Sequence, residues 1–433
     1  MRCDGRRGFR RAGAEGRRTV LRRIVGTYRA AFSGLPRAVW IQGLATLVNR
    51  SGTMVLPFMS LYLTTKLGFS IIAAGQVLSL YGIGGIVGSW LGGALSDRIG
   101  PVRVQVASLT ATGAGFLVLS RLSGRLAVSL AVFGLALVAE CFRPALFTAI
   151  ARGTQVAVRT RALALVRLTI NLGMTVGPAV GGLLAVHHYG LLFVADAATC
   201  WAAALVLGVA GAGTQPAPPE RATSPGGAAS PWSDGPYLAF LAVMVGLGTV
   251  FFQISSTMPL YFRQHYHLAE DSIGLLLAIN TVIIVAVEMI LLRALEHRDH
   301  LLLAGLGCLL VCAGFGLLPL GSSPAFAALT VVVWTAGEML SLPFTNSVAA
   351  SRAPAAASGR YMGAYSLAFS VSFVLAPGVG TAVYQKFGPT ALWAGVAVAG
   401  AVLFAACALL ARRFHGPGPA ARAVAATGPG CAE

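Results

Sequence analysis

Twelve stretches of this chain are apolar for long enough to cross about 30 Å of hydrocarbon, which takes about 20 helical residues. They run at about 38–64, 71–95, 103–121, 126–150, 162–186, 189–211, 237–262, 269–293, 300–320, 325–348, 359–385 and 389–411. Gly and Pro interrupt many of them, as membrane helices tolerate where neighbouring groups re-satisfy the backbone. A soluble chain of 433 residues would suggest roughly two to four domains, but 56% hydrophobic and 11% charged residues overrule that. Soluble domains carry roughly 25% charge. The expectation is an all-α integral membrane protein of twelve transmembrane helices, with the lipid bilayer as its solvent.

The net charge of +18 would suggest a nucleic-acid partner in a soluble protein. Here its distribution matters more. Eleven of the 32 Lys and Arg precede residue 38, and most others fall in alternate loops. With the N-terminus inside, 25 lie in inside segments, five in outside loops, and Arg50 and Arg143 within spans. That asymmetry puts both termini in the cytoplasm of a cell membrane and removes the need for nucleic acid. No cleavable signal precedes the first span. The Arg-rich tail reads as disordered and able to touch anionic lipid.

Gly213 to Pro236 is rich in Pro, Gly and Ser with no apolar period, and it separates six spans from six. The expected organisation is a basic tail at 1–37, a six-helix bundle at 38–212, a linker at 213–236, a second bundle at 237–411 and a tail at 412–433. A repeat supports it. An offset of 199 residues carries Leu61-Tyr62 onto Leu260-Tyr261, Gly75 onto Gly274, Pro144 onto Pro343, Arg161 onto Arg360, Pro178 onto Pro377 and Gly181 onto Gly380. Six spans per half give the two pseudo-symmetric bundles the same orientation, with a site between them at mid-depth.

Between spans two and three lies Gly93-Ala94-Leu95-Ser96-Asp97-Arg98-Ile99-Gly100-Pro101-Val102-Arg103. Gly93 allows close helix approach, and Asp97 at a helix end can pair with a basic residue or accept from a neighbouring helix N-terminus. Arg98 and Arg103 anchor the loop on the cytoplasmic side. With Gly100, these residues resemble motif A of the major facilitator superfamily, above all its drug:proton antiporter branch. The resemblance covers about residues 38–411. It implies that fold, and a latch that stabilises the outward-facing state. Pro101-Val102 stand where the family usually has a further basic residue. In the second half only the acid recurs, as Glu296.

In span five, Gly173, Gly177 and Gly181 recur every four residues and make a bare face, with Pro178 kinking the helix. This stretch resembles the family's motif C, associated with antiporters. Gly84, Gly88 and Gly92 give span two a similar face, read as packing.

Ionisable residues at membrane depth are costly and point to function. Arg50 lies beside Asn49 in span one; Glu140 and Arg143, three residues apart in span four, can pair; Glu338 is central in span ten with no basic partner in its own span. Asn280 and Glu288 lie in span eight, Gln253 in span seven and Asp196 in span six. Proton coupling needs a carboxyl that burial can neutralise and an approaching cation can ionise. Glu338 is the first candidate for that role and Glu140 the second, with Asn49, Arg50, Arg143, Gln253 and Asn280 as polar groups of the central cavity. His265-x-His267 with Glu270 and Asp271 reads as a solvated outside loop.

The seven cysteines show no disulfide or zinc-ligand spacing, and no phosphate-cradling Gly-Lys-Ser/Thr loop occurs. No metal, cofactor or enzymatic activity is expected. The expected function is proton-coupled efflux of small amphipathic organic compounds or drugs by alternating access, with the chain working as a monomer. A narrow-specificity metabolite exporter or a proton symport importer is the alternative. A non-transporting membrane enzyme or receptor is the distant one.

Overall fold

The computed structural model describes residues 33–210, 230–354 and 357–414, and among these it contains helices, turns and no strand. Most of the basic tail, the linker and the C-terminal tail lie outside the described residues. Among the described residues, eleven segments are long and apolar enough to cross a membrane. The twelfth, span one, is interrupted. It consists of helices Arg37–Ser51 and Val55–Leu61, the second running into a wide turn at Tyr62–Lys66.

Three spans expected to be continuous are broken near their middles. In span one the N–H groups of Met54 and Val55 donate to the Asp196 carboxylate at 3.0 Å each, that of Met54 also to the Gly52 carbonyl at 2.8 Å. The acid thus caps a helix start that hydrocarbon would leave unsatisfied. Span seven is the repeat's counterpart and breaks between helices Gly235–Phe251 and Thr257–His265. There Gln253 Oε1 accepts from Thr257 at 2.7 Å and Ser256 at 3.1 Å. Its Nε2 donates to the Ala376 carbonyl at 2.8 Å. Span four breaks between helices Arg125–Ala139 and Phe142–Gly153. Pro144 has no N–H for the Glu140 carbonyl, which weakens the helix there. Span ten, Pro324–Arg352, stays continuous despite Pro343.

The remaining spans are single helices: Ile71–Ile99 for span two, Pro101–Leu119 for three, Val156–His187 for five and Tyr189–Ala210 for six. In the second half, Glu270–Leu295 forms span eight, His300–Gly316 nine, Ser358–Phe387 eleven and Pro389–Phe414 twelve. The Gly84/Gly88/Gly92 face packs on span four as expected: a Cβ on Gly88 would collide with the Leu137 carbonyl. Arg167 lies three turns inside span five, because that helix begins at Val156.

The halves meet along two seams, span two against eleven and span five against eight. In the first seam Ser79 donates to the Val374 carbonyl at 2.8 Å, and Gly82 abuts Val374. Closer to the termini, Cβ atoms on Gly93, Gly359 and Gly363 would meet no described atom within 4 Å. In the second seam, Pro178 abuts Gly274 and Met174 abuts Thr281. The halves are therefore in contact along both seams on the side away from the termini, and spans five and eight are also joined toward the termini by the Arg167–Glu288 pair.

Candidate functional site

One turn of span five sets the level of the site. A Cβ on Gly173 would lie 2.5 Å from the Arg50 Cβ, so only a bare residue lets spans one and five approach this closely. The next residue, Met174, accepts a 3.5 Å bond from Thr281 of span eight, adjacent to Asn280. Asn280 Nδ2 in turn donates to Glu338 Oε2 at 2.8 Å and to Thr335 at 3.1 Å. Arg50 of the first half and Glu338 of the second thus flank the same turn at mid-depth.

Glu338 is half-buried, and no cation pairs with it among the described residues. Its hydrogen bond with Asn280 joins two residues that the sequence placed 58 positions apart in different spans. Arg50 is also half-buried, and its Nε lies in the interior without a hydrogen-bond partner. Asn49 donates weakly to Cys200 Sγ at 3.5 Å. Glu140 faces span two, its Cγ 3.2 Å from where a Gly85 Cβ would stand. Tyr81 lies within the electrostatic reach of both Glu140 and Arg50.

Above this level, an aromatic row crosses the seam between the halves. Tyr81 lies 6.0 Å from Phe373, Phe373 lies 4.8 Å from Phe252, and Phe252 lies 5.6 Å from Phe251. These rings form an apolar roof over the polar level.

Two expectations need correction. Glu140 and Arg143 form no ion pair: the helix is interrupted at Glu140 and Cys141, Glu140 faces span two, and Arg143 is exposed. Gln253 is not a cavity-lining group. It is 2% exposed, and its amide is consumed by the break in span seven and by span eleven.

At the motif A turn, Gly100 adopts φ of +93° and Pro101 opens the next helix, which sets the reversal. Asp97 pairs with Arg152 of span four at 2.7 Å, within the first half. Gly177 and Gly181 continue the contact of span five with span one, against Thr53 and Met54, and Pro178 lies between them inside the helix. Sequence reading missed the ion pair of Arg167 with Glu288 across the halves. Period and loop counts carry no signal for it, because it joins residues 121 positions apart.

The sequence profile of the Major Facilitator Superfamily matches residues 43–377. The chain belongs to that superfamily. Its members are transporters, and this protein is accordingly a multi-pass membrane transporter, not an enzyme. The uncharacterized MFS-type transporter YhjO of Bacillus subtilis (strain 168) is 25% identical over 358 residues, covering 81% of this chain and 87% of its own. A Na(+), Li(+), K(+)/H(+) antiporter of Planococcus maritimus is 22% identical, covering 76% of this chain and 85% of its own. Among solved structures, the POT family transporter PepTSo superposes with a TM-score of 0.73 at 15% identity, covering 88% of this chain and 98% of its own. At that identity the likeness concerns the fold alone. Within the superfamily fold, spans one, four and seven are the broken ones, and the polar level lies among spans one, five, eight and ten.

Proposed function

We propose that this superfamily member exports small amphipathic organic compounds in exchange for protons by alternating access. The reading places both termini in the cytoplasm of a cell membrane, so the side fastened away from the termini faces outward. Glu338 carries it: a half-buried carboxyl at mid-depth, held by Asn280 and unpaired by any described cation, suits a group that binds and releases a proton. Arg50 offers a counter-charge at the same level, and the roof of Tyr81, Phe373 and Phe252 offers apolar contact to a cargo. Asp97 with Arg152 acts in state switching and not in binding. The chain works as a monomer, with 38–212 and 237–411 as the rocking units.

A second reading is exchange of monovalent cations for protons, favoured by the Planococcus maritimus relative. Glu338, Asn280 and Thr335 supply the oxygen ligands such a cation takes. Proteoliposomes carrying a pH gradient separate the readings. Efflux reads as gradient-driven accumulation of ethidium that dissipates the gradient. Dissipation by Na+, Li+ or K+ instead supports the second reading. Movement of proton and organic solute in one direction supports a symport importer and rejects both.

A further inference from the structure

Rocking requires the side away from the termini to open, and side-chain bonds between the halves hold that side shut. The Ile72 N–H, at the start of span two, donates to Gln385 Oε1 at the end of span eleven, 2.9 Å away. In the other seam the Tyr189 hydroxyl, at the start of span six, donates to Glu270 Oε1 at the start of span eight, 2.8 Å away. The 199-residue repeat makes spans two and eight equivalent, so these are the two corresponding fastenings of the closed side. They differ in chemistry: one acceptor is a neutral amide, the other a carboxylate.

Glu270 is only 8% exposed, although its sequence neighbourhood reads as a solvated loop. It opens span eight directly above the point where spans five and eight touch backbone to backbone. A Cβ on Gly182 would collide with the Glu270 carbonyl. Its second oxygen lies 3.7 Å from Arg263 Nη1, which belongs to the same half and also donates to the Leu268 carbonyl at 3.3 Å. Arg263 therefore keeps the carboxylate company whether the seam is open or shut, while the Tyr189 hydroxyl reaches it only when shut. The Tyr189 ring is positioned by Tyr62, 5.8 Å away.

We propose that the Tyr189–Glu270 hydrogen bond is the latch that holds shut the side of the transporter away from its termini. It rests on the alternating-access part of the proposed function but on neither the cargo nor the proton. When the seam parts, both groups exchange each other for water. The net loss is that of one hydrogen bond to a charged acceptor, roughly a fivefold or greater change in the open-to-shut ratio.

The test needs no substrate. Thr381 is fully buried in the other seam, against Gly75, and becomes reachable only when that side opens. Thr381→Cys is made in a chain lacking Cys3 and Cys431, the other five cysteines being buried. Its alkylation rate by a water-soluble maleimide is then measured in nanodiscs. Tyr189→Phe, which keeps the ring, should raise that rate roughly fivefold, and Glu270→Ala at least as much. Tyr237→Phe is the control, since it removes a buried hydroxyl bonded to the Tyr361 carbonyl within one half. It should leave the rate unchanged. A rate in Tyr189→Phe equal to its parent, or an equal rise in Tyr237→Phe, overturns the latch. Because no gradient or cargo enters the measurement, failure of efflux assays leaves this result standing, and the reverse also holds.

Discussion

Arg167 of span five and Glu288 of span eight form an ion pair that joins the two halves on the terminal side of the polar level. The partners are unequally buried: the Glu288 side chain is 10% exposed and that of Arg167 is 58% exposed. Losing the acid leaves an arginine that water can solvate, whereas losing the arginine strands a carboxylate in the seam. Arg167→Ala should therefore destabilise by about 2 kcal/mol, and Glu288→Gln by less than about 1 kcal/mol. Thermal unfolding of both variants and of the double variant in detergent checks this. Equal costs for the two single variants would contradict the inequality.

Glu338→Gln keeps an acceptor for Asn280 but removes the carboxyl proposed to carry the proton. Proton-driven transport should fall to the uncoupled background, while downhill exchange of cargo persists and the thermal midpoint changes little. Undiminished uphill transport in proteoliposomes would eliminate Glu338 as the proton carrier.

Asp234 precedes span seven and is bound by Arg352, with Nε–Oδ2 at 2.8 Å and Nη2–Oδ1 at 2.9 Å, and by the Tyr361 hydroxyl at 3.3 Å. Burial alone would raise its carboxyl, but the hydrogen bonds and charge of Arg352 outweigh burial and hold it below the usual carboxylate range. The stabilisation is fully present above the unfolded-state value and disappears as pH falls through the lower folded-state value. Wild type should therefore lose thermal stability on acidification through that window, and Asp234→Asn should show a shallower loss there. Arg352→Ala, which leaves Asp234 buried and unpaired, should cost about 3 kcal/mol near neutral pH. A parallel pH profile for wild type and Asp234→Asn would refute the linkage.

Asp97→Asn removes the charge that pairs with Arg152 at an exposed position. Such a pair is worth roughly 0–1 kcal/mol in stability, so the thermal midpoint should barely move while the transport rate falls severalfold. Cargo affinity, measured by equilibrium binding, should be retained. Loss of binding together with transport would show that the loop does more than switch states.

Asp196→Leu should be far more damaging than loss of a surface acid, because the Val55 N–H would be left unsatisfied inside the protein and the Met54 N–H would keep only the Gly52 carbonyl. A cost of about 3 kcal/mol is expected, and Asp196→Asn, which keeps one acceptor, should recover much of it. The yield of folded, monodisperse protein gives the first readout and thermal unfolding the second.

The sequence by itself determined the solvent, the number of spans and the duplication. Those properties are written in local composition and in a fixed 199-residue offset, neither of which depends on which helix touches which. It also marked Glu338, Asn280 and Arg50 individually, because an ionisable or amide group inside an apolar run stands out against its neighbours. What it could not reach was pairing. Glu140 and Arg143 have the spacing of partners on one helix, yet they form no ion pair, Glu140 facing span two and Arg143 being exposed. Gln253 looks like a cavity group and Asp196 like a buried acid in span six, but broken helix ends claim both, since unpaired backbone in a membrane recruits the nearest polar side chain. Tyr189 with Glu270, and Arg167 with Glu288, exist only because the fold brings spans six and five against span eight. Tertiary structure alone decided those contacts, because a bond across two halves depends on how the helices are placed, and one-dimensional spacing does not record that.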